Sequence, residues 1–427
     1  MKKLLLVTTA LAGVAMMSAP ATAAVKLGLG GYFSTYGMWA DSDDTDLREF
    51  DWRRDSELFF TGATTLDNGL TVGINYELDL GSTTGGAAEN FLTDEAYMYF
   101  SGGWGRLNIG SEDGSAFLLQ VAAPSADANI DGMQVTMQGI AANDLVFDMD
   151  GNNLGLTQSN LLDYQHISSP SFLGNNLDRL TYLTPKFNGF QAGVSYAPQN
   201  VQGGSVSSVT PMAVDATVGT YDEIWEGSLR WDGEFQGFGI ALGGGYSQAS
   251  LQDEAAAPTV DATPIVSDDL TTWNVGANFA WSGFSLGGAY LRSDTSNDDG
   301  LDPVGAPVFV VNSLDVSNTT WVVGLGYDNG PWHIGTSYLK KNIERDANGV
   351  LADDGELPAI DADVLKYTVG AGYTFGPGMT FNGSIAWGEF DNSTSTVVDA
   401  GQTGQFGGAA ANQNDFRQVS IGTNIQF

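Results

Sequence analysis

Two histidines, His166 and His333, and no cysteine are what this chain of 427 residues offers for conventional nucleophilic or metal chemistry. That count excludes thiol catalysis, disulfides and Cys/His zinc sites. A hydrolase would need a nucleophile and a base held together, and neither histidine has a serine and an acid at an interpretable spacing. Carboxylates are the abundant reactive type: 51 Asp and Glu stand against 16 Lys and Arg, for a net charge of −35. Asp148, Asp150 and Asn152 place alternating oxygens around Gly151, a spacing that can wrap calcium. Asn153 sits where such a loop needs glycine and Ser159 where it needs a bidentate glutamate. Calcium binding and solvated charge therefore both stay open there, and no cofactor is required. A basic footprint for nucleic acid is missing.

The elements that must position these groups are read from composition and periodicity. Charged residues make up only 16% of the chain, while glycine numbers 56 and aromatics reach 11%. A disordered acidic chain lacks such apolar content. Lys2 and Lys3, an apolar run over 4–17 and the small residues Ala21-Thr22-Ala23 read as a secretory signal over residues 1–23, leaving 24–427 as the mature chain. Beyond it no stretch approaches the roughly 20 apolar residues of a membrane-spanning helix.

Glycine-bearing turns recur at Asn68-Gly69, Gly102-Gly103, Asn188-Gly189, Asp232-Gly233, Ser282-Gly283, Asn329-Gly330 and Pro377-Gly378. Such pairs suit tight hairpins because they tolerate positive φ. From Asn188 onward they recur every 45 to 50 residues, each interval holding two strands and one longer connection. Between turns the residues alternate with period two. Leu365, Tyr367, Val369, Ala371, Tyr373 and Phe375 oppose Lys366, Thr368, Gly370, Gly372 and Thr374. The count is sixteen strands, the first over 25–40 and the last over 414–427, an even number as a single-chain outer-membrane barrel requires.

A soluble sandwich would show the same alternation. The aromatics separate the two: Trp225 and Trp231, Trp273 and Trp281, Trp321 and Tyr327, Trp332 and Tyr338, and Phe381 and Trp387 mark both ends of one apolar face. Paired rings of this kind belong at the two membrane interfaces. The expected fold is all-β: a 16-stranded antiparallel transmembrane β-barrel with short periplasmic turns and long external loops.

Residues 25–32 (VKLGLGGY), 56–62 (SELFFTG) with 66–70 (LDNGL), and 95–110 (EAYMYFSGGWGRLNIG) resemble the general diffusion porins of Gram-negative bacteria, in the branch found in purple bacteria. The likeness thins and then returns at 177–198 and at the last strand, whose alternating Val419, Ile421, Thr423 and Ile425 end in Phe427. The resemblance implies a homotrimer in the outer membrane, surrounded by lipid and lipopolysaccharide, with a third external loop folded into the pore. Such a channel passes small hydrophilic solutes.

The interval of 86 residues between the second and third turns fits that loop, expected over 114–176. A connection so long is usually functional. Its carboxylates, Glu112, Asp113, Asp127, Asp131 and Asp144, are the expected acidic side of the constriction. Arg53, Arg106, Arg179, Arg230, Lys341 and Lys366 fall on the inward face and are the expected basic wall, the two together setting a transverse field. Lys26 is expected to meet the Phe427 carboxylate and seal the barrel seam. Acidic external loops point to a cation preference. A substrate-selective porin for sugars or small organic acids is the alternative, with Tyr32, Tyr36, Tyr97 and Tyr99 as its lumenal track.

Overall fold

The computed structural model describes residues 25–43, 49–80, 92–133, 137, 176–199, 221–251, 269–295, 316–345, 360–392 and 412–427. The signal segment lies outside them, as do Asp144, Asp148, Asp150 and Asn152. The strands are β1 (Lys26–Ser42), β2 (Phe50–Thr65), β3 (Thr71–Asp79), β4 (Leu92–Gly102), β5 (Gly105–Glu112), β6 (Leu177–Leu183), β7 (Phe190–Gln199), β8 (Tyr221–Phe235), β9 (Phe238–Leu251), β10 (Leu270–Trp281), β11 (Phe284–Thr295), β12 (Val316–Asn329), β13 (Trp332–Arg345), β14 (Ile360–Gly376), β15 (Met379–Asn392) and β16 (Asn412–Gln426). Each pairs antiparallel with its sequence neighbour, and β1 pairs with β16, so the sheet closes into a barrel.

All sixteen strands expected from the alternation are present. One turn moves. β8 runs through Asp232-Gly233 to Phe235, and the chain reverses at Gln236 (φ 51°) and Gly237 (φ 85°). Asp232 stays in the strand because its carboxylate takes hydrogen bonds from Arg230 Nε at 3.0 Å and Lys186 Nζ at 2.9 Å.

The alternation becomes two surfaces. Val275, Leu286, Val323, Ile334, Val369 and Ile385 point outward and are exposed, the cost-free arrangement when the surroundings are lipid. Two aromatic rings edge this band. On the loop side Trp273 meets Tyr290 at 5.0 Å, Tyr290 meets Trp321 at 4.4 Å, and Tyr338 meets Tyr367 at 4.9 Å. On the turn side Phe238 stacks on Trp281 at 5.5 Å and Trp332 meets Tyr373 at 4.6 Å. Trp273 and Trp281 sit on one strand, eight residues apart; at ~3.3 Å per residue and a tilt near 40° the rings stand on the order of 20 Å apart.

Closure does not use Lys26. Opposite Phe427 lies Gly31, and the two exchange backbone hydrogen bonds of 3.0 and 3.1 Å. Lys26 pairs instead with Ala63, five residues further along β1 and about 16 Å away at strand rise. The expected salt bridge is corrected: the seam is a backbone ladder that ends at the last residue.

Candidate functional site

After Glu112 the chain turns inward. Gly114 lies where any side chain would collide with Glu226 and Arg179, and Ser115–Leu118 form a single helical turn, α1. Every wall group that holds the segment comes from the face opposite the lipid-exposed residues. Ser195 Oγ (β7) accepts from Ser115 N at 2.7 Å, and Glu226 Oε2 (β8) accepts from Ala116 N at 3.1 Å. Arg230 Nη1 (β8) donates to the Gln120 carbonyl at 3.3 Å, and Lys366 Nζ (β14) donates to the Ile130 carbonyl at 2.8 Å. Phe117 packs in a cluster with Leu291, Val322 and Leu339 of β11, β12 and β13. Residues 114–131 thus lie inside the barrel along one wall.

The loop carboxylates serve this attachment. Asp127 is buried and accepts from Tyr36 Oη (β1) at 3.0 Å. Burial pushes its carboxyl up from 3.8 to about 6, against the opposing pull of the Asn129 N–H and the Tyr36 hydroxyl. Asp131 caps the turn, accepting from Ala126 N at 3.0 Å and Asp127 N at 2.8 Å, and takes a further hydrogen bond from Ser337. Glu112 is 1% exposed and accepts from Asn108 Nδ2 at 2.7 Å. Asp113 is half-buried, its N–H donating to Glu95 at 3.3 Å. The expectation that Glu112, Asp127 and Asp131 line the passage is corrected: Glu112 is buried against Asn108, and the turns that place Asp127 and Asp131 also aim them at the wall.

Most of the expected basic wall is covered in the same way. Arg179 and Glu226 form an ion pair at 2.9 Å with both side chains 1% exposed. Arg230, Lys341 and Lys366 are buried, and two of them hold loop carbonyls as described. Arg53 and Arg106 are half-buried. Arg106 lies over Tyr99 with 4.0 Å to the ring centroid and 5.8 Å over Tyr97, a cation–π arrangement. Tyr36, expected in a lumenal aromatic track, is fully buried under the loop.

Toward the lumen, besides the half-buried Arg53 and Arg106, stands an acidic group on β2 to β4. Tyr32 Oη donates to Asp55 Oδ2 at 2.7 Å and to Glu57 Oε1 at 2.9 Å. Asn75 Nδ2 donates to Glu77 at 2.7 Å, and Asn176 Nδ2 donates to Asp94 at 2.6 Å. Carboxylate oxygens of Glu57, Glu77 and Asp94 lie within 4.8 Å of one another, all three side chains half-buried. An all-oxygen set of this kind suits hard cations rather than soft ones. A bulge builds it: Tyr76 pairs with Ala96 and Leu78 with Thr93, so Asp94 and Glu95 both face Glu77. Adjacent acids on a regular strand point to opposite faces, so period-two reading missed this group. Its one sequence signal is the alternation of Asp55 with Glu57 and of Asn75 with Glu77 and Asp79.

The enzyme reading gains nothing from His333. Its Nδ1 is 2.8 Å from Asp328 and its Nε2 is 3.3 Å from the Ser125 carbonyl, and neither partner is a nucleophile. His166 lies outside the described residues.

The family model described as Gram-negative porin matches residues 8–393. No curated protein sequence matches the chain. Among solved structures, it is similar to the anion-selective porin from Comamonas acidovorans, with 17% identity, a TM-score of 0.56, and coverage of 95% of this chain and 100% of that one. It is similar also to in-vitro folded OmpT of Vibrio cholerae in its trimer form, with 13% identity, a TM-score of 0.55, and coverage of 95% and 100%. The outer membrane channel DcaP of Acinetobacter baumannii follows with 13% identity, a TM-score of 0.54, and coverage of 94% and 97%.

Proposed function

Because the chain belongs to the Gram-negative porin family, and is thus a β-barrel channel of the outer membrane, we propose that it passes small hydrophilic solutes and ions by diffusion, with a preference for cations. One observation carries the preference. The lumenal wall of β2 to β4 holds the half-buried Glu57, Glu77 and Asp94 against the half-buried Arg53 and Arg106, while Arg179, Arg230, Lys341 and Lys366 are buried. A low-dielectric channel focuses the field of such a wall, raising the local concentration of cations and excluding anions. The likeness to an anion-selective porin, at 17% identity, bears on the fold and leaves charge selectivity to this chain's own residues. We propose a homotrimer as its assembly, exported by residues 1–23. Trp39, Trp52 and Trp104 stand only near the ends of the first strands, and the outward positions between them, such as Gly31, Gly62, Val72 and Ile74, are small or aliphatic, as fits a wall that faces protein.

The substrate-selective reading keeps one supporting feature, the Arg106 guanidinium between Tyr97 and Tyr99, which could stack a planar or sugar solute. A reversal potential across a salt gradient in planar bilayers tests both. Large steps with a cation-side potential, reduced toward zero in the Glu57→Gln, Glu77→Gln, Asp94→Asn triple variant, are expected. An anion-side potential, or one that the triple variant leaves in place, would refute the assignment of selectivity to this wall. Small steps blocked by one solute would move the reading to the substrate-selective channel.

A further inference from the structure

We propose that six inward glycines on consecutive strands form the seat of the internal loop and fix the width of the passage: Gly243 (β9), Gly276 (β10), Gly287 (β11), Gly324 (β12), Gly335 (β13) and Gly370 (β14). The inference rests on the channel reading above and names residues that determine its size limit. In the barrel register these glycines face one another directly as Gly243 with Gly276, Gly287 with Gly324, and Gly335 with Gly370. Glycine inside a strand is costly, and its use there marks close approach of another backbone.

That backbone is the loop. A Cβ on Gly243 would lie 2.8 Å from Val121 Cγ2, and one on Gly335 would lie 2.9 Å from both Ala126 Cα and the Ser125 carbonyl oxygen. On Gly370 it would stand 2.7 Å from the Ala126 carbonyl oxygen, and on Gly287 3.0 Å from Pro124 Cδ as well as 2.7 Å from the Ala277 carbonyl oxygen of β10. On Gly276 and Gly324 it would overlap the Val121 and Pro124 carbonyl oxygens outright. Two positions nearer the external end on five of these strands stand Asn274, Ala289, Val322, Ser337 and Thr368. The glycines are therefore the floor of a groove and the larger residues one of its sides.

The lengths agree. Crossing from β9 to β14 spans five inter-strand gaps of ~4.8 Å, about 24 Å, and the seven residue steps from Leu119 to Ala126 cover about 24 Å when extended. The segment is taut. It is held near its start by Arg230 on the Gln120 carbonyl and beyond its far end by Lys366 on the Ile130 carbonyl. With no slack to absorb a side chain beneath it, the loop must lift into the lumen.

The test compares Gly276→Ala, Gly324→Ala and the milder Gly370→Ala with Gly383→Ala, an outward glycine whose Cβ would meet nothing closer than 3.6 Å. Unitary conductance is measured in planar bilayers. Because the chain has no cysteine, Val121→Cys supplies a single reporter for labelling by a membrane-impermeant maleimide, alone and combined with each alanine. Loss of conductance and faster labelling in the seat variants, with the Gly383→Ala control like the parent, is the expected result. Parent-like conductance with protected Val121→Cys in folded seat variants would overturn the proposal. A parent that folds but does not conduct refutes the channel reading, while the labelling comparison still decides the seat. Should Gly276→Ala and Gly324→Ala fail to fold, Gly370→Ala decides by the same two readouts.

Discussion

Acidification should tighten the internal loop on its wall, through Asp127. The groups facing its carboxylate are Tyr36 from β1, and Asn129 and Asp131 from the loop itself. Asn382 of β15 donates to the same Tyr36 hydroxyl at 3.1 Å. Burial lifts this carboxyl to about 6 when the loop is seated, against 3.8 in water. A group that holds its proton more tightly in the docked state favours docking once the proton is on. Docking is therefore weakest above pH 6 and strengthens as pH falls from there toward 3.8. Each pH unit in that window is worth about 1.4 kcal/mol, or about tenfold in the docking equilibrium. Single cysteines at Ile130, which is buried, and at Ala128, which is exposed, can be labelled at pH 7.5 and pH 5. The Ala128→Cys rate corrects for thiol ionisation, so the ratio of the two rates reports loop opening. That ratio should fall about tenfold at pH 5, and Asp127→Asn should abolish the fall. A ratio that is flat or rises on acidification in the parent would refute the reasoning, since it would mean that Asp127 ionises as readily docked as free.

Two further outcomes follow from the geometry. Arg179→Met leaves Glu226 charged and buried, so it should cost about 3–5 kcal/mol, seen as a lower thermal or urea midpoint for unfolding of the barrel in detergent. A midpoint equal to the parent's would show that this pair is solvated in practice. Deleting Phe427 removes the two backbone bonds at Gly31 and should cost about 1–2 kcal/mol and lower the yield of folded barrel, whereas Lys26→Met should leave both unchanged. Equal effects of the two changes would restore the salt bridge as the seal.

The barrel was legible in the sequence because its code is local. A strand facing lipid on one side and water on the other alternates with period two, and tight turns need residues that accept positive φ. Trp273, Trp281, Trp321 and Tyr327 announced two interfaces because their spacing along a strand matches the height of a membrane band. The one displaced turn, at Gln236-Gly237 instead of Asp232-Gly233, arose where a distant partner, Lys186, holds Asp232 in a strand that runs on to Phe235.

The site was legible only in part. Period two placed Arg179, Arg230, Lys341 and Lys366 on the inward face, and the structure keeps them there. Inward, however, is not the same as facing water. Whether an inward residue lines the passage or lies beneath the loop depends on the path of residues 114–131, and that path is set by contacts such as Lys366 with Ile130, 236 residues apart. The same holds for the acidic wall, where a bulge turns Asp94 and Glu95 toward Glu77 against strict alternation. Strand number, faces and membrane band follow from patterns that repeat within ten residues. The sign and width of the passage were decided only by tertiary structure, because both depend on which side chains the folded loop covers.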